Sequence, residues 1–329
     1  MAKKTIFTLA ILLVFTISLY SEILIHNTGY FMGQNNDKIF YQYWQLKNPS
    51  AILVIAHGFG EHSDRYIEMA KHYTDFGMSV YALDHRGHGK SEGDRWNVEK
   101  FDYFLDDLHY YIENVVKQIE DKNKSLFLLG HSMGGEIAAK YALVYPEDFN
   151  YMILSSPSVG TYLAGIELPQ FATTLTGALG PLTDIGFIAN AFMPGTQIPA
   201  EYLSHDKSVV DAYVNDPLVC HEPIKMRMSV ELSSNMSYIQ RNAKKTTTPI
   251  LVMYGTEDRV VPPDSIIDYY NKLTIKDKTL KGFEGFYHEI FNEIEKDKVY
   301  EFTDNWISAK LLQWPIFKNI YSLDWMLFF

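Results

Sequence analysis

The sequence predicts an α/β fold, in which a mostly parallel central sheet is flanked by helices and carries one inserted segment. Two observations predict it. From Ala51 onward, short apolar runs alternate with longer amphipathic stretches, which is the pattern of successive βα units. The chain has 329 residues, 47% hydrophobic and 21% charged, a composition that can fill one large core.

The individual elements follow from the same alternation. The apolar runs predict strands at residues 51–56, 79–83, 126–129, 151–155, 250–254 and 279–283. The amphipathic stretches predict helices at residues 66–76, 102–120, 135–145, 264–272 and 297–309. We therefore expect one catalytic core formed by residues 22–157 and 246–310.

The segment at residues 158–245 breaks this rhythm. It is long, has no clear strand, and contains scattered glycines and prolines among apolar residues. A structureless loop of this length is unusual inside a compact domain. We therefore expect a helical cap that lies over the site.

The two ends of the chain have their own composition. Residues 1–21 place Lys3 and Lys4 before an apolar run that ends near Leu19, which predicts a secretory signal peptide and an exported protein, periplasmic or secreted. The cleavage site is poor, so an uncleaved membrane anchor and a buried N-terminal helix stay open. Residues 311–329 are rich in aromatic side chains, which could contact a membrane surface or pack on the domain.

Charge and cysteine content exclude some functions. The net charge of -11 opposes binding to a phosphate backbone, so no nucleic-acid partner is expected. Cys220 is the only cysteine, which excludes an intrachain disulfide and a cysteine-based metal cluster. We expect no metal site. A nucleophilic role for Cys220 is disfavoured because its neighbour His221 is poorly placed to act as its base.

The sharpest motif is the sequence Gly-His-Ser-Met-Gly at residues 130–134. It lies between a predicted strand and a predicted helix, the setting in which a G-x-S-x-G turn exposes a nucleophilic serine. Ser132 is therefore the candidate nucleophile.

A serine hydroxyl needs a base, and the base needs a group that fixes its tautomer. The expected chain order is serine, acid, histidine. Asp258 follows the predicted strand 250–254, and His288 follows the strand 279–283. Glu257 is the rival for the acid. His57, His62, His85 and His88 precede the serine and are excluded by the order, whereas His131 is expected to point away from the nucleophile.

The reaction also needs donors for a negatively charged oxygen. The N–H of Met133 follows the nucleophile. The sequence His-Gly-Phe-Gly at residues 57–60 follows an earlier strand, where the N–H of Phe59 is the expected second donor.

At this point the chain resembles the monoacylglycerol lipase and lysophospholipase family over residues 52–308. Four blocks carry the resemblance, at residues 57–66, 84–93, 130–135 and 216–219. The resemblance implies an α/β-hydrolase fold with a mobile cap, a triad of Ser132, Asp258 and His288, and no cofactor.

The resemblance also implies a polar pocket for a glycerol head group, formed by Glu61, Arg65 and Tyr213. An ion pair that shapes the oxyanion turn is an equally open interpretation of Glu61 and Arg65. Phe291 stands where animal members of the family carry a further polar head-group residue, which puts the head-group preference in question.

Together these features predict a serine hydrolase that cleaves lipid esters, with monoacylglycerol as the expected substrate. A lysophospholipase or broad carboxylesterase is the first alternative. A catalytically silent, lipid-binding hydrolase fold is the second. A peptidase specific for N-terminal residues is weaker, since no acidic amine-binding feature is evident in the cap.

Overall fold

The computed structural model describes residues 24–160, 162–163, 166–167 and 197–313. The predictions for residues 1–21, for residues 168–196 of the cap and for residues 314–329 of the tail lie outside the described residues. Within the described part, no helix is long and apolar enough to cross a membrane.

Eight strands form the central sheet. They are β1 (Ile25–Met32), β2 (Lys38–Gln45), β3 (Ala51–Ala56), β4 (Met78–Leu83), β5 (Leu126–His131), β6 (Tyr151–Ser155), β9 (Ile250–Gly255) and β10 (Lys278–Phe283). Their order is β1-β2-β4-β3-β5-β6-β9-β10. In this order, β1 pairs with β2 and β2 pairs with β4 in antiparallel fashion. All other neighbouring strands pair in parallel.

All six predicted strands are present, with ends that shift by at most two residues. The sequence analysis missed β1 and β2, which form the antiparallel edge of the sheet. The predicted α/β-hydrolase architecture is otherwise confirmed.

The described helices, labelled in chain order, are α1 (Ile67–Asp75), α2 (Asp102–Tyr111), α3 (Met133–Val144), α4 (Lys207–Asn215), α5 (Met226–Asn242), α6 (Pro263–Lys272) and α7 (Asp297–Gln313). The helix predicted at residues 102–120 is interrupted after α2 by a π-helical turn at Ile112–Val116, before one further α-helical turn at Lys117–Ile119.

The central strands of the sheet are buried on both faces. Adjacent residues of β3 illustrate this, since their side chains point to opposite faces. Val54 packs in a cluster with residues of α2, α3, α5 and α6, whereas Leu53 packs in a cluster with residues of α1 and α7. Each fully buried aliphatic side chain contributes about 1.5–3 kcal/mol to folding. Parallel strands covered in this way leave the edge at their carboxyl ends as the place for a site.

The described part of segment 158–245 is largely helical. It contains α4, α5 and short 3-10 turns. It also contains two antiparallel strands of two residues each, β7 (Tyr162–Leu163) and β8 (Ile166–Glu167), that the sequence analysis did not predict. Helix α5 packs on α3, and its Met228, Leu232 and Met236 are buried in the same cluster as Ile137 of α3.

Candidate active site

Ser132 occupies a strained turn between β5 and α3. Its φ of 51° and ψ of -116° lie in a region that residues other than glycine rarely adopt. The flanking glycines are required by close approach. A β-carbon at Gly134 would lie 2.0 Å from the carbonyl oxygen of Ala56, and one at Gly130 would lie 2.3 Å from that of Gly134. The turn therefore has the strand–turn–helix geometry that the motif predicts.

Asp258 and His288 meet at the same edge of the sheet. The loop after β9 carries Asp258, and the loop after β10 (residues 284–292, the base loop) carries His288. His288 Nδ1 lies 2.7 Å from Asp258 Oδ2. The other carboxylate oxygen of Asp258 accepts the N–H groups of Val260 and Val261 at 2.8 and 2.9 Å. These bonds fix the carboxylate, which in turn fixes the imidazole through Nδ1. Among the described residues, Nε2 of His288 has no hydrogen-bond partner.

The rival acid is placed elsewhere. Glu257 is exposed, and its backbone N–H donates to the carbonyl oxygen of Phe286. Asp258 is 5% exposed and is the carboxylate in contact with His288.

The charges around His288 stabilise the protonated, positively charged form of its imidazole. Burial opposes the charged imidazole, but the charge and hydrogen bond of Asp258, helped by Glu289 and Glu61, outweigh burial and raise the pKa of His288 above its usual value. An imidazolium formed during a reaction is therefore stabilised in place.

Ser132 and His288 line one cavity at the junction of the core and segment 158–245. Its walls comprise Gly58, Phe59, Glu61, Arg65, His131, Ser132, Ile198, Leu203, Tyr213, Val260, His288 and Glu289. Within the described residues, Ser132 Oγ makes no hydrogen bond to His288. Such bonds are often long before the substrate is bound, and they tighten in the reacting complex.

Of the expected oxyanion donors, Phe59 lines the same cavity and Met133 directly follows Ser132. In the described part of the chain, neither the N–H of Phe59 nor that of Met133 donates to a backbone or side-chain acceptor. Phe59 lies in the turn at residues 57–60, the oxyanion loop, and Met133 is the first residue of α3. Both N–H groups are therefore available to a substrate oxygen.

Comparison with known proteins agrees with this geometry. The family described as serine aminopeptidase, S33, matches residues 47–295. The monoglyceride lipase of Rattus norvegicus is 34% identical over 276 residues, which are 83% of this chain and 88% of the relative. The monoacylglycerol lipase of Mycolicibacterium smegmatis is 31% identical, with 85% and 96% of the two chains covered. The chain belongs to this family of serine hydrolases.

A solved structure gives the same result. The crystal structure of Paleococcus ferrophilus monoacylglycerol lipase has a TM-score of 0.69 and 27% identity, and the match covers 87% of this chain and 99% of that one. The family resemblance seen in the motifs is confirmed, and the chain is a hydrolase of carboxylic esters.

The three residues predicted for the head group lie together in this hydrolase. Arg65 Nη1 donates to Glu61 Oε2 at 2.6 Å, and its guanidinium lies 5.0 Å from the centre of the Tyr213 ring. Glu61 Oε1 accepts the N–H of Gly58 at 2.6 Å. Burial favours a neutral carboxyl, but the Arg65 charge together with His131, His57 and the N–H of Gly58 outweighs it and lowers the pKa of Glu61 to about 2. The ion pair therefore supports the oxyanion loop and also lines the cavity.

Sequence reasoning missed Glu289. Its carboxylate accepts two hydrogen bonds from Arg65, at 2.9 and 2.8 Å, across 224 positions of sequence. The one signal available was its place directly after the predicted base. Phe291 stands where the sequence resemblance would place a polar head-group residue. It is not among the residues that line the Ser132 cavity, and its ring centre lies 5.1 Å from that of Tyr300.

Cys220 and His131 are poorly suited to act as a nucleophile or a base. Burial raises the pKa of the Cys220 thiol to about 11, which leaves it protonated and unreactive at neutral pH. The ring of His131 turns toward Ser155, with Nδ1 3.1 Å from its carbonyl oxygen, although its centre lies only 4.8 Å from that of His288. Burial lowers the pKa of His131 to about 4, so it adds no charge beside the base.

Proposed function

We propose that this hydrolase cleaves fatty-acid esters of glycerol, with monoacylglycerol as its substrate class, through an acyl-enzyme on Ser132. The observation that carries the proposal is the buried pair of His288 and Asp258, joined at 2.7 Å, on the wall of the cavity that also holds Ser132. The relatives named monoglyceride lipase and monoacylglycerol lipase support the substrate class.

In the acylation step, His288 Nε2 takes the proton of Ser132 Oγ as the oxygen attacks the ester carbonyl. The carbonyl oxygen becomes an oxyanion, which accepts the N–H groups of Phe59 and Met133. Collapse of the intermediate breaks the bond to the alcohol, and the imidazolium returns its proton to the departing alkoxide. Glycerol leaves and the acyl group stays on Ser132.

In the deacylation step, His288 removes a proton from water, which attacks the acyl carbonyl. The same two N–H groups hold the second oxyanion. Its collapse releases the fatty acid and returns the proton to Ser132. Every proton transfer in both steps uses side chains of this chain and water.

The cavity supports a substrate with one polar and one apolar end. Glu61, Arg65 and Tyr213 supply charged and aromatic polar groups at one side, and the Tyr213 hydroxyl is buried without a partner among the described residues. Ile198, Leu203 and Val260 supply apolar surface. A glycerol hydroxyl pair and an acyl chain match these two environments.

The test is a substrate panel on protein that lacks residues 1–21. We expect hydrolysis of monoacylglycerol to exceed that of lysophospholipid, short nitrophenyl esters and aminoacyl amides. Ser132→Ala should lower turnover by roughly six orders of magnitude and abolish labelling by a fluorophosphonate probe. Preference for lysophospholipid would change the substrate class, and wild-type protein that neither labels nor turns over would favour a silent, lipid-binding fold.

We also propose that residues 1–21 export the chain or anchor it in a membrane. The support is their composition, with two lysines before an uncharged apolar run. Cell fractionation of the full-length chain and of the chain without residues 1–21 tests this. Equal distribution of the two forms between cytosol and the exported or membrane fractions would contradict it.

A further inference from the structure

A buried chain of charged hydrogen bonds runs from the oxyanion loop to the base loop. It begins at the N–H of Gly58, which donates to Glu61 Oε1. It continues through Glu61 Oε2, which accepts a bond from Arg65 Nη1. It ends at Glu289, whose two carboxylate oxygens accept bonds from Nη1 and Nη2 of the same guanidinium. Glu289, the last residue of this chain, takes no part in the proton transfers of acylation or deacylation.

The sheet does not pair the strands that carry these two loops. β3, which precedes the oxyanion loop, is separated from β10, which precedes the base loop, by β5, β6 and β9. At about 4.8 Å per strand, the two strand ends are roughly 19 Å apart. The relative position of the two loops therefore depends on contacts made above the sheet, and the Arg65–Glu289 pair is such a contact.

The pair is well suited to hold a fixed distance. The side chains of Arg65 and Glu289 are only 11% and 5% exposed. Two parallel N–H···O bonds between a guanidinium and a carboxylate fix orientation as well as separation. Further bonds hold Glu289 itself, since its N–H donates to the carbonyl oxygen of Leu203 at 2.7 Å and its Oε2 accepts from Asn292 at 2.7 Å.

We propose that Glu289 is a positioning residue for the hydrolysis. By binding Arg65, it holds the base loop against the oxyanion loop, so that His288 and the Phe59 N–H stay in register with Ser132. The inference rests on the proposed function. Glu289 also lines the Ser132 cavity, but the role proposed here acts through Arg65 and not on the reacting atoms.

The same cluster supports the base electrostatically. Glu61 and Glu289 carry two negative charges against the single positive charge of Arg65. Besides Asp258, the charged groups that act on His288 include both carboxylates, which raise its pKa. The neighbouring ring of His131 is neutral at working pH. Loss of the Glu289 charge should therefore lower the pKa of His288.

The experiment compares Glu289→Gln and Glu289→Asp with wild type, with active sites counted by fluorophosphonate labelling. For Glu289→Gln we expect kcat to fall about ten- to a hundredfold with KM nearly unchanged, because a bond to a charged group is lost. The acid limb of kcat/KM should move to lower pH. Glu289→Asp keeps the charge but is one methylene too short for both bonds, so kcat should fall while the limb stays in place.

Glu120→Gln is the matched control. Glu120 is also buried and accepts a hydrogen bond from the Tyr81 hydroxyl at 2.7 Å, far from the site. It should leave kcat and the pH profile unchanged. A labelled Glu289→Gln or Glu289→Asp enzyme with wild-type kcat would overturn the proposal. A wild type that neither labels nor hydrolyses any ester would overturn the proposed function itself, which is a different result from an active wild type with an indifferent Glu289.

Discussion

Neighbouring carboxylates at residues 257 and 258 have opposite environments. Asp258 is buried against His288, and both of its oxygens are bonded, whereas Glu257 points to solvent. The turn after β9 decides this, because Val260 and Val261 present their N–H groups to residue 258. Only a carboxylate held in this way can fix the tautomer of the base.

Asp258→Asn should therefore lower kcat by about 10⁴-fold, since an amide in this position can favour the wrong imidazole tautomer while the geometry stays the same. Steady-state kinetics on monoacylglycerol measure the effect. Glu257→Gln is the control at the adjacent position and should behave as wild type. A large loss in Glu257→Gln with little loss in Asp258→Asn would reverse the assignment of the acid.

At this scale, the sequence predicts residues whose role depends on local context. Ser132, Asp258 and His288 each follow a strand, and their order along the chain is fixed by the fold. Glu289 was not predicted, because its partner Arg65 is distant in sequence and a lone glutamate after a histidine has many ordinary explanations. The choice between a head-group role and an ion pair for Glu61 also needed contacts that no local pattern contains.

At the scale of elements, helix α3, which follows Ser132, contacts α5 through a buried polar pair. Glu136, one turn after Ser132, is fully buried, and its Oε1 accepts a hydrogen bond from Asn235 Nδ2 at 2.9 Å. Glu136 Oε2 and Asn235 Oδ1 are both buried without a partner among the described residues. A proton on Glu136 would remove the buried, uncompensated negative charge.

Burial is the main reason that the pKa of Glu136 is raised well above its ordinary value of 4.5, against smaller opposing effects of Asn235 and Lys140. The folded state then binds a proton that the unfolded state has released. This contribution to stability is complete below pH 4.5 and is lost as pH rises toward the folded pKa, by up to about 1.4 kcal/mol per pH unit.

Glu136→Gln imitates the protonated acid and cannot ionise. Its free energy of unfolding should match that of wild type near pH 5 and exceed it increasingly toward pH 8. Urea denaturation at several pH values measures the difference. Glu147→Gln, at an exposed position, should follow wild type throughout. A constant difference between wild type and Glu136→Gln would mean that Glu136 is not protonated in the folded protein.

The elements themselves differ in how well they could be predicted. Strands β3, β5, β6 and β9 are buried on both faces and appear as continuous apolar runs. Most residues of β1 are exposed, and β2 alternates between buried and less buried residues. Neither strand therefore appears in the sequence as a continuous apolar run. The π turn after α2 leaves the amphipathic pattern almost unchanged and has no evident sequence signal.

At the scale of the whole molecule, the core and segment 158–245 form the cavity together. Ser132, His288 and Val260 belong to the core, whereas Ile198, Leu203 and Tyr213 belong to the inserted segment. The two parts are also joined by hydrogen bonds at the base loop, where the N–H of His288 donates to the carbonyl oxygen of Tyr202 at 3.3 Å. Substrate selection should therefore depend on apolar contacts that the inserted segment completes.

The acyl chain should be selected gradually. Each methylene moved from water to an apolar wall contributes roughly 0.8 kcal/mol, which corresponds to about a fourfold rise in kcat/KM. A series of monoacylglycerols that differ by two carbons, assayed below the concentration at which they aggregate, should show this rise until the cavity is filled and then a plateau. Leu203→Ala removes one apolar wall and should make the rise shallower for long chains, while short-chain esters are affected less. A kcat/KM that does not depend on chain length in the wild type would show that the acyl group stays in water, and would contradict a lipid-binding cavity formed by the core and segment 158–245.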